Sequence, residues 1–225
     1  MSSPLTSRQV EWINTLKTGD VVFFHTIGVL VSMFFQQVQP SRFNHCGIVL
    51  RDPTWLQSNL TGLYFLDSND NLNVPDAMPQ PDGGRFGVHI RPLLPVFESL
   101  TSMSEVHVRK CTVTISTNQL QSIITPEIRD ATYDFNPLHW LAAKSWIVQS
   151  DYMWPIPWSV YALPINRCTD AFTCSALIAY IFTQLGYLPS NLPWSIVSPK
   201  LLSGETKELP WVTPVLGASQ HWITR

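Results

Sequence analysis

At 225 residues, with 45% hydrophobic and only 13% charged, the chain is long enough for a sizeable core and has a globular, not a disordered, composition. A net charge of −2 and a pI near 6.3 provide no basic field to neutralise phosphates, which excludes a general nucleic-acid binder. Four cysteines without a CxxC pair make neither a disulfide scaffold nor a Cys/His zinc motif, so no metal and no cofactor is expected.

Met1-Ser2-Ser3-Pro4-Leu5 lacks the basic region and apolar core of a signal peptide, so an intracellular setting with reduced thiols is the expectation. Residues 4–16 read as a short helix with Val10, Ile13 and Leu16 on one face. Leu16-Lys17-Thr18-Gly19-Asp20 is a turn that launches a strand over Val21–Phe24. The apolar window from Val21 to Phe35 contains His25, Thr26, Gly28 and Ser32 and falls short of the ~20 residues that span a bilayer. A strand followed by a buried helix over Val29–Val38 fits it better than a transmembrane segment.

Pro40 and Ser41 break that helix, and His45–Arg51 forms a second strand. A third, Leu63–Leu66, ends in the turn formers Asp67, Ser68, Asn69, Asp70 and Asn71. Asn73–Arg85 reads as a surface loop. Gly87–Arg91 and Glu105–Ile115 alternate with period two, as half-buried strands do. Gln119–Arg129 is a short helix interrupted near Pro126, Leu138–Val148 another helix, and Met153–Pro164 a Trp/Pro-rich loop. A further amphipathic helix begins near Cys174 and stops at Gly186. After Pro189 the pattern is proline-punctuated coil with short turns. No linker or repeat divides the chain, so residues 1–225 read as one α+β domain. Nine Trp and eighteen Pro imply rigid, aromatic-rich loops, which either pack internally or meet a membrane surface or an assembly partner.

Cys174 stands where loop turns into helix, in Phe172-Thr173-Cys174-Ser175-Ala176-Leu177-Ile178. With Thr169, Asp170 or Thr173 as the cap, its sulfur lies within the first turn, where the helix dipole favours thiolate over thiol. Thiol catalysis also needs a base and a group that orients the base. His45 heads a strand beside Gly47, which leaves room for a substrate or a close-packed helix. Asp67, at the end of the neighbouring strand, is the favoured orienting group, with Asn69 and Asp70 as alternatives. The backbone N–H of Cys174 is a natural oxyanion donor. Cys46 and Cys111 read as buried strand cysteines, and His89 and His107 as exposed or structural.

These segments, taken in order, resemble the circularly permuted NlpC-type papain-like cysteine hydrolases, specifically the YiiX-like branch. Leu16-Lys17-Thr18-Gly19-Asp20-Val21-Val22-Phe23-Phe24 is similar to that family's L-x-x-G-D-I-I-L-F opening, and Asn44-His45-Cys46-Gly47-Ile48-Val49 to its S-H-V-G-I-V motif. Gly87-Val88-His89-Ile90-Arg91-Pro92-Leu93 resembles G-V-x-x-x-P-L, Tyr133-Asp134-Phe135 resembles Y-D-F, and Cys174-Ser175-Ala176-Leu177-Ile178 resembles C-S-E-L-V. Ile196-Val197-Ser198-Pro199-Lys200-Leu201-Leu202 is similar to a segment after the cysteine helix. The resemblance implies a papain-like α+β fold, with an antiparallel sheet carrying the histidine and a helix carrying the nucleophile. It implies cleavage of an amide bond through an acyl-thiol intermediate, with Cys174 as nucleophile, His45 as base and Asp67 as orienting acid. Ala176 departs from the family's glutamate, and Asp67 is shorter than the usual glutamate at its position.

Two alternatives stand beside this reading. Lecithin-retinol acyltransferase-like enzymes share the histidine-before-cysteine order and act on lipid acyl groups, but their Asn-Cys-Glu-His-Phe motif is absent here. A catalytically idle component of a larger assembly is the other. The substrates implied are therefore a peptide or amide, or a lipid ester.

Overall fold

Gly19 and Asp20 show how the sheet is started. Gly19 turns with φ +95°, and a Cβ there would sit 2.6 Å from Cδ1 of Ile115 and 2.9 Å from Sγ of Cys111, so no larger residue fits. The buried carboxylate of Asp20 accepts hydrogen bonds from the backbone N–H groups of Lys17 and Cys111 and pairs with Lys110. One side chain thus closes the turn and fastens two strands.

The computed structural model describes residues 4–25, 42–69, 74–78, 86–99, 105–136, 139, 167–205 and 209–224. Helix α1 (Ser7–Ile13) is closed by a capping box between Thr6 and Gln9. Strands β1 (Val21–His25), β2 (His45–Arg51), β3 (Leu63–Asn69), β4 (Gly87–Pro92), β5 (Glu105–Cys111) and β8 (Leu216–Thr224) form one six-stranded antiparallel sheet in the order β4-β3-β2-β1-β5-β8. Between them lie helices α2 (Leu93–Ser99), α3 (Thr117–Ile123) and α4 (Pro126–Arg129), and a two-residue parallel pair, β6 (Thr132–Tyr133) with β7 (Ala171–Phe172). Helix α5 (Cys174–Gln184), a 3-10 turn (Trp194–Ile196) and α6 (Pro199–Ser203) precede β8. The fold is α+β, an antiparallel sheet packed against helices.

Both faces of the sheet are covered. Val21, Phe23, Cys46, Ile48 and Leu50 face a core completed by Leu177, Ile178, Ile181 and Phe182 of α5. Val22, Phe24, Val49 and Phe65 face a second core with Ile13 of α1 and Val96 and Phe97 of α2. This corrects the reading of β4 and β5 as half-buried: period-two alternation sorts residues between faces, but here each face meets a hydrophobic layer. His89 and His107 are accordingly buried.

Two further expectations change. The third strand continues through Asp67, Ser68 and Asn69 instead of turning, because these polar residues find partners across the sheet. The coil expected after Pro189 contains α6, capped by Ser198, and the nine-residue strand β8. Buried Arg109 holds β8 and α6 in place, donating to the carbonyls of Leu202, Leu216 and Gly217. Of the expected elements, the helix over 29–38, the loop over 153–164, the helix over 138–148 save His139, and the loop over 73–85 save 74–78 lie outside the described residues. Among the described residues, no helix is long and apolar enough to cross a membrane.

Candidate active site

Cys174 is the first residue of α5, and Thr173 is the N-cap, its hydroxyl accepting from the N–H of Ala176. Three ties set the position of this helix start. Ser68, next to Asp67 on β3, donates to the carbonyl of Phe172. Asp134 N–H donates to that same carbonyl, and Ser175 donates to the carbonyl of Val197. The Cys-Ser pair therefore has a division of labour: the thiol faces the sheet and the hydroxyl anchors the helix to the segment before α6.

His45 opens β2, half-buried between the rings of Phe24 (centroids 6.0 Å, stacked) and Phe65 (6.1 Å, edge-on). The space beside Gly47 is taken by Phe65: a Cβ on Gly47 would stand 2.2 Å from that ring. The glycine thus accommodates the aromatic wall that holds the imidazole, not a substrate or a helix.

His45 Nε2 donates to Oδ2 of Asp67 at 2.8 Å, which leaves Nδ1 as the nitrogen for Cys174. Asp67 has no solvent exposure and also accepts from Nη1 of Arg91, at 2.9 Å and 3.1 Å. Burial works against its charge, but Arg91 and His45 outweigh that and hold the carboxyl below the usual range. Burial likewise disfavours the His45 imidazolium. The charges of Cys174 and Asp67 and hydrogen bonds to both overcome it, and its pKa is raised to about 10.

The thiol of Cys174 is drawn well below the ordinary thiol range. The largest cause is a hydrogen bond from the Cys46 side chain; burial opposes, and the His45 charge, a His45 hydrogen bond and the Cys46 backbone N–H add to the effect. Cys46 is pushed the opposite way, first by burial and then by its bond to Cys174, so it stays a thiol and donates. Both shifts favour the charged pair, a Cys174 thiolate beside a His45 imidazolium, with Asp67 fixing the ring from behind. Such a pair can attack an electrophilic carbonyl and return a proton to the leaving group.

His45 and Asp67 are brought into direct contact, and Cys174 lies near enough to His45 for their charges to interact. Asn69 closes β3 and Asp70 lies outside the described residues. Two contributors escape sequence reasoning. Cys46, read as a small hydrophobe, is buried as expected and is also the largest influence lowering the Cys174 thiol. Arg91, the fully buried counter-ion, had one available signal: a lone arginine inside an alternating strand, on the face of β4 that its register with β3 gives to Phe65 and Asp67.

A second thiol-imidazole-carboxylate alignment exists. His139 Nδ1 meets Asp134 Oδ2 at 2.6 Å, and its Nε2 lies 4.0 Å from Sγ of Cys168. The Cys168 thiol is pushed up by burial, and among the described residues no helix starts at it. All four cysteines are free thiols, so Cys168 and Cys174 are not joined. No protein-family model and no curated protein matches this sequence.

Proposed function

We propose that the protein is a cysteine hydrolase of the permuted papain-like type, a peptidase or amidase that cleaves an amide bond through an acyl-thiol intermediate. One observation carries this reading: a cysteine at a helix N-terminus, its thiol drawn well below the ordinary range, lies beside a histidine whose far nitrogen is held at 2.8 Å by a buried carboxylate paired with Arg91. Cys174 attacks the carbonyl carbon, and the oxyanion forms beside the N–H of Cys174, a helix-start donor without an intrahelical partner. His45 protonates the leaving amine, then removes a proton from the water that breaks the thioester.

A second reading, a thiol-dependent lipid acyl hydrolase or acyltransferase, is favoured by one feature. Phe135 and Phe86 are exposed large aromatics in edge contact (5.4 Å), joined by Tyr133. Tyr133 pairs with Phe172, two residues before the thiol, so an apolar chain bound there would approach the nucleophile.

A thiol-directed activity probe tests the proposal. Labelling is expected at Cys174, abolished in Cys174→Ala and weakened in His45→Ala. Equal labelling of Cys46 or Cys111 would overturn it. Matched peptide-amide and fatty-acyl ester substrates separate the two readings: a Phe135→Ser loss confined to the ester favours the lipid.

A further inference from the structure

The far strands of the sheet carry a separate constellation that the proposed hydrolase does not use. Glu105 and His107 are two residues apart on β5 and so share a face, and β8 makes His221 the cross-strand partner of His107. Both imidazoles converge on one atom: Oε1 of Glu105 lies 2.8 Å from Nε2 of His107 and 3.4 Å from Nε2 of His221. The three ligand atoms all lie within 4.8 Å of one another.

We propose that Glu105, His107 and His221 bind a divalent transition-metal ion of the zinc class, clasping β8 to β5. Bonds of about 2.0–2.1 Å in a tetrahedral zinc site place ligand atoms roughly 3.3–3.4 Å apart; the two pairs to Glu105 stand at 2.8 Å and 3.4 Å, so small side-chain adjustments suffice. Two imidazoles with one carboxylate select this class over magnesium or calcium, which prefer all-oxygen sets.

The surroundings fit the assignment. His107 Nδ1 lies 3.3 Å from Oγ of Ser219, which can accept its proton and leave the Nε2 lone pair for the ion. The Phe43 ring packs edge-on against His107 at 4.9 Å and supplies an apolar wall. Arg42 pairs with both oxygens of Glu105, its Nε donating to Oε2 at 3.1 Å and its Nη2 contacting Oε1. Its half-exposed side chain can keep Oε2 while Oε1 passes to the ion. The fourth position falls to water.

The test uses the full chain carrying Cys174→Ala, which removes a thiolate that would itself take zinc. After chelator treatment, calorimetric titration with zinc chloride is expected to show one ion per chain, and magnesium chloride none. His221→Ala, at an exposed position, is expected to weaken zinc binding by about tenfold or more while the circular dichroism spectrum stays that of the parent. Cobalt(II) in the parent should show tetrahedral ligand-field bands without a thiolate charge-transfer band. Absence of zinc binding, undiminished affinity in His221→Ala, or a thiolate band would each overturn the assignment.

Discussion

His45 and Asp67 meet at 2.8 Å across neighbouring antiparallel strands, and the carboxylate that orients the imidazole is itself held by a fully buried guanidinium, that of Arg91. The chain of contacts Arg91–Asp67–His45–Cys174 runs from the interior of the sheet to the helix start. Each charge in it is balanced by the next, so a change at one member reaches the others.

Asp67→Asn leaves the Arg91 charge buried without its counter-ion. Breaking such a pair costs about 3–5 kcal/mol, readable in urea unfolding, and activity should fall by roughly 10²–10⁴-fold as the imidazole loses its orientation. Asp67→Asn combined with Arg91→Met should regain stability without regaining activity. The pH dependence has a definite sign: the Asp67 pKa is lower folded than unfolded, so its stabilisation is present above about 3.9, the usual carboxyl value, and is lost as pH falls through the lower folded value. Acid unfolding of the parent should be steeper than that of Asp67→Asn.

Alkylation of Cys174 should stay fast well below the ordinary thiol pKa of about 8.5, because its surroundings draw the thiol well below that range. The imidazolium is the proton donor and is lost as pH rises through about 10. Turnover should therefore fall on that alkaline limb while alkylation does not. In His45→Ala the alkylation midpoint should move upward; an unmoved midpoint would remove His45 from the thiolate's support.

Cys46→Ala deletes the S–H donor to the thiolate. A hydrogen bond to a charged group is worth ~1.5–3 kcal/mol, so the Cys174 midpoint should rise by about one to two pH units. Cys46→Ser keeps a donor and should recover most of the shift. If serine and alanine behave alike, Cys46 acts by packing alone.

Gly47→Ala drives a methyl into the Phe65 ring, which is backed by Phe24 at 5.5 Å. Overpacking of this kind costs about 1–3 kcal/mol, and the displaced ring is a wall of the His45 pocket. Melting temperature and activity should drop together. Gly47→Ala with Phe65→Leu should recover the melting temperature more than the activity.

Local pattern was a good guide wherever one element settles its own fate. The strand His45–Arg51 appears with the bounds its apolar run suggested, and α5 begins at Cys174 and gives way to Gly186 at φ +78°. Asp67 was legible as a partner of His45, but its surroundings were not. Asp-Ser-Asn has turn chemistry by itself and becomes strand only because His45, Arg91 and the Phe172 carbonyl receive its side chains. β8 was missed for a similar reason: Leu216-Gly217-Ala218-Ser219-Gln220 has little apolar alternation, and pairing with β5 and anchorage by Arg109 hold it in the sheet.

The sequence alone determined that a thiol would stand at a helix start and a histidine at the head of a strand, because capping residues and apolar periodicity act within a few positions of each other. Tertiary structure decided what those residues meet. Strand register put Arg91 behind Asp67 and His221 across from His107, and the packing of α5 on the sheet brought Cys46 to Cys174. Those pairings join segments 24, 114 and 128 positions apart in the sequence. Contacts of that span are set by which faces pack together, and no local spacing in the chain encodes them.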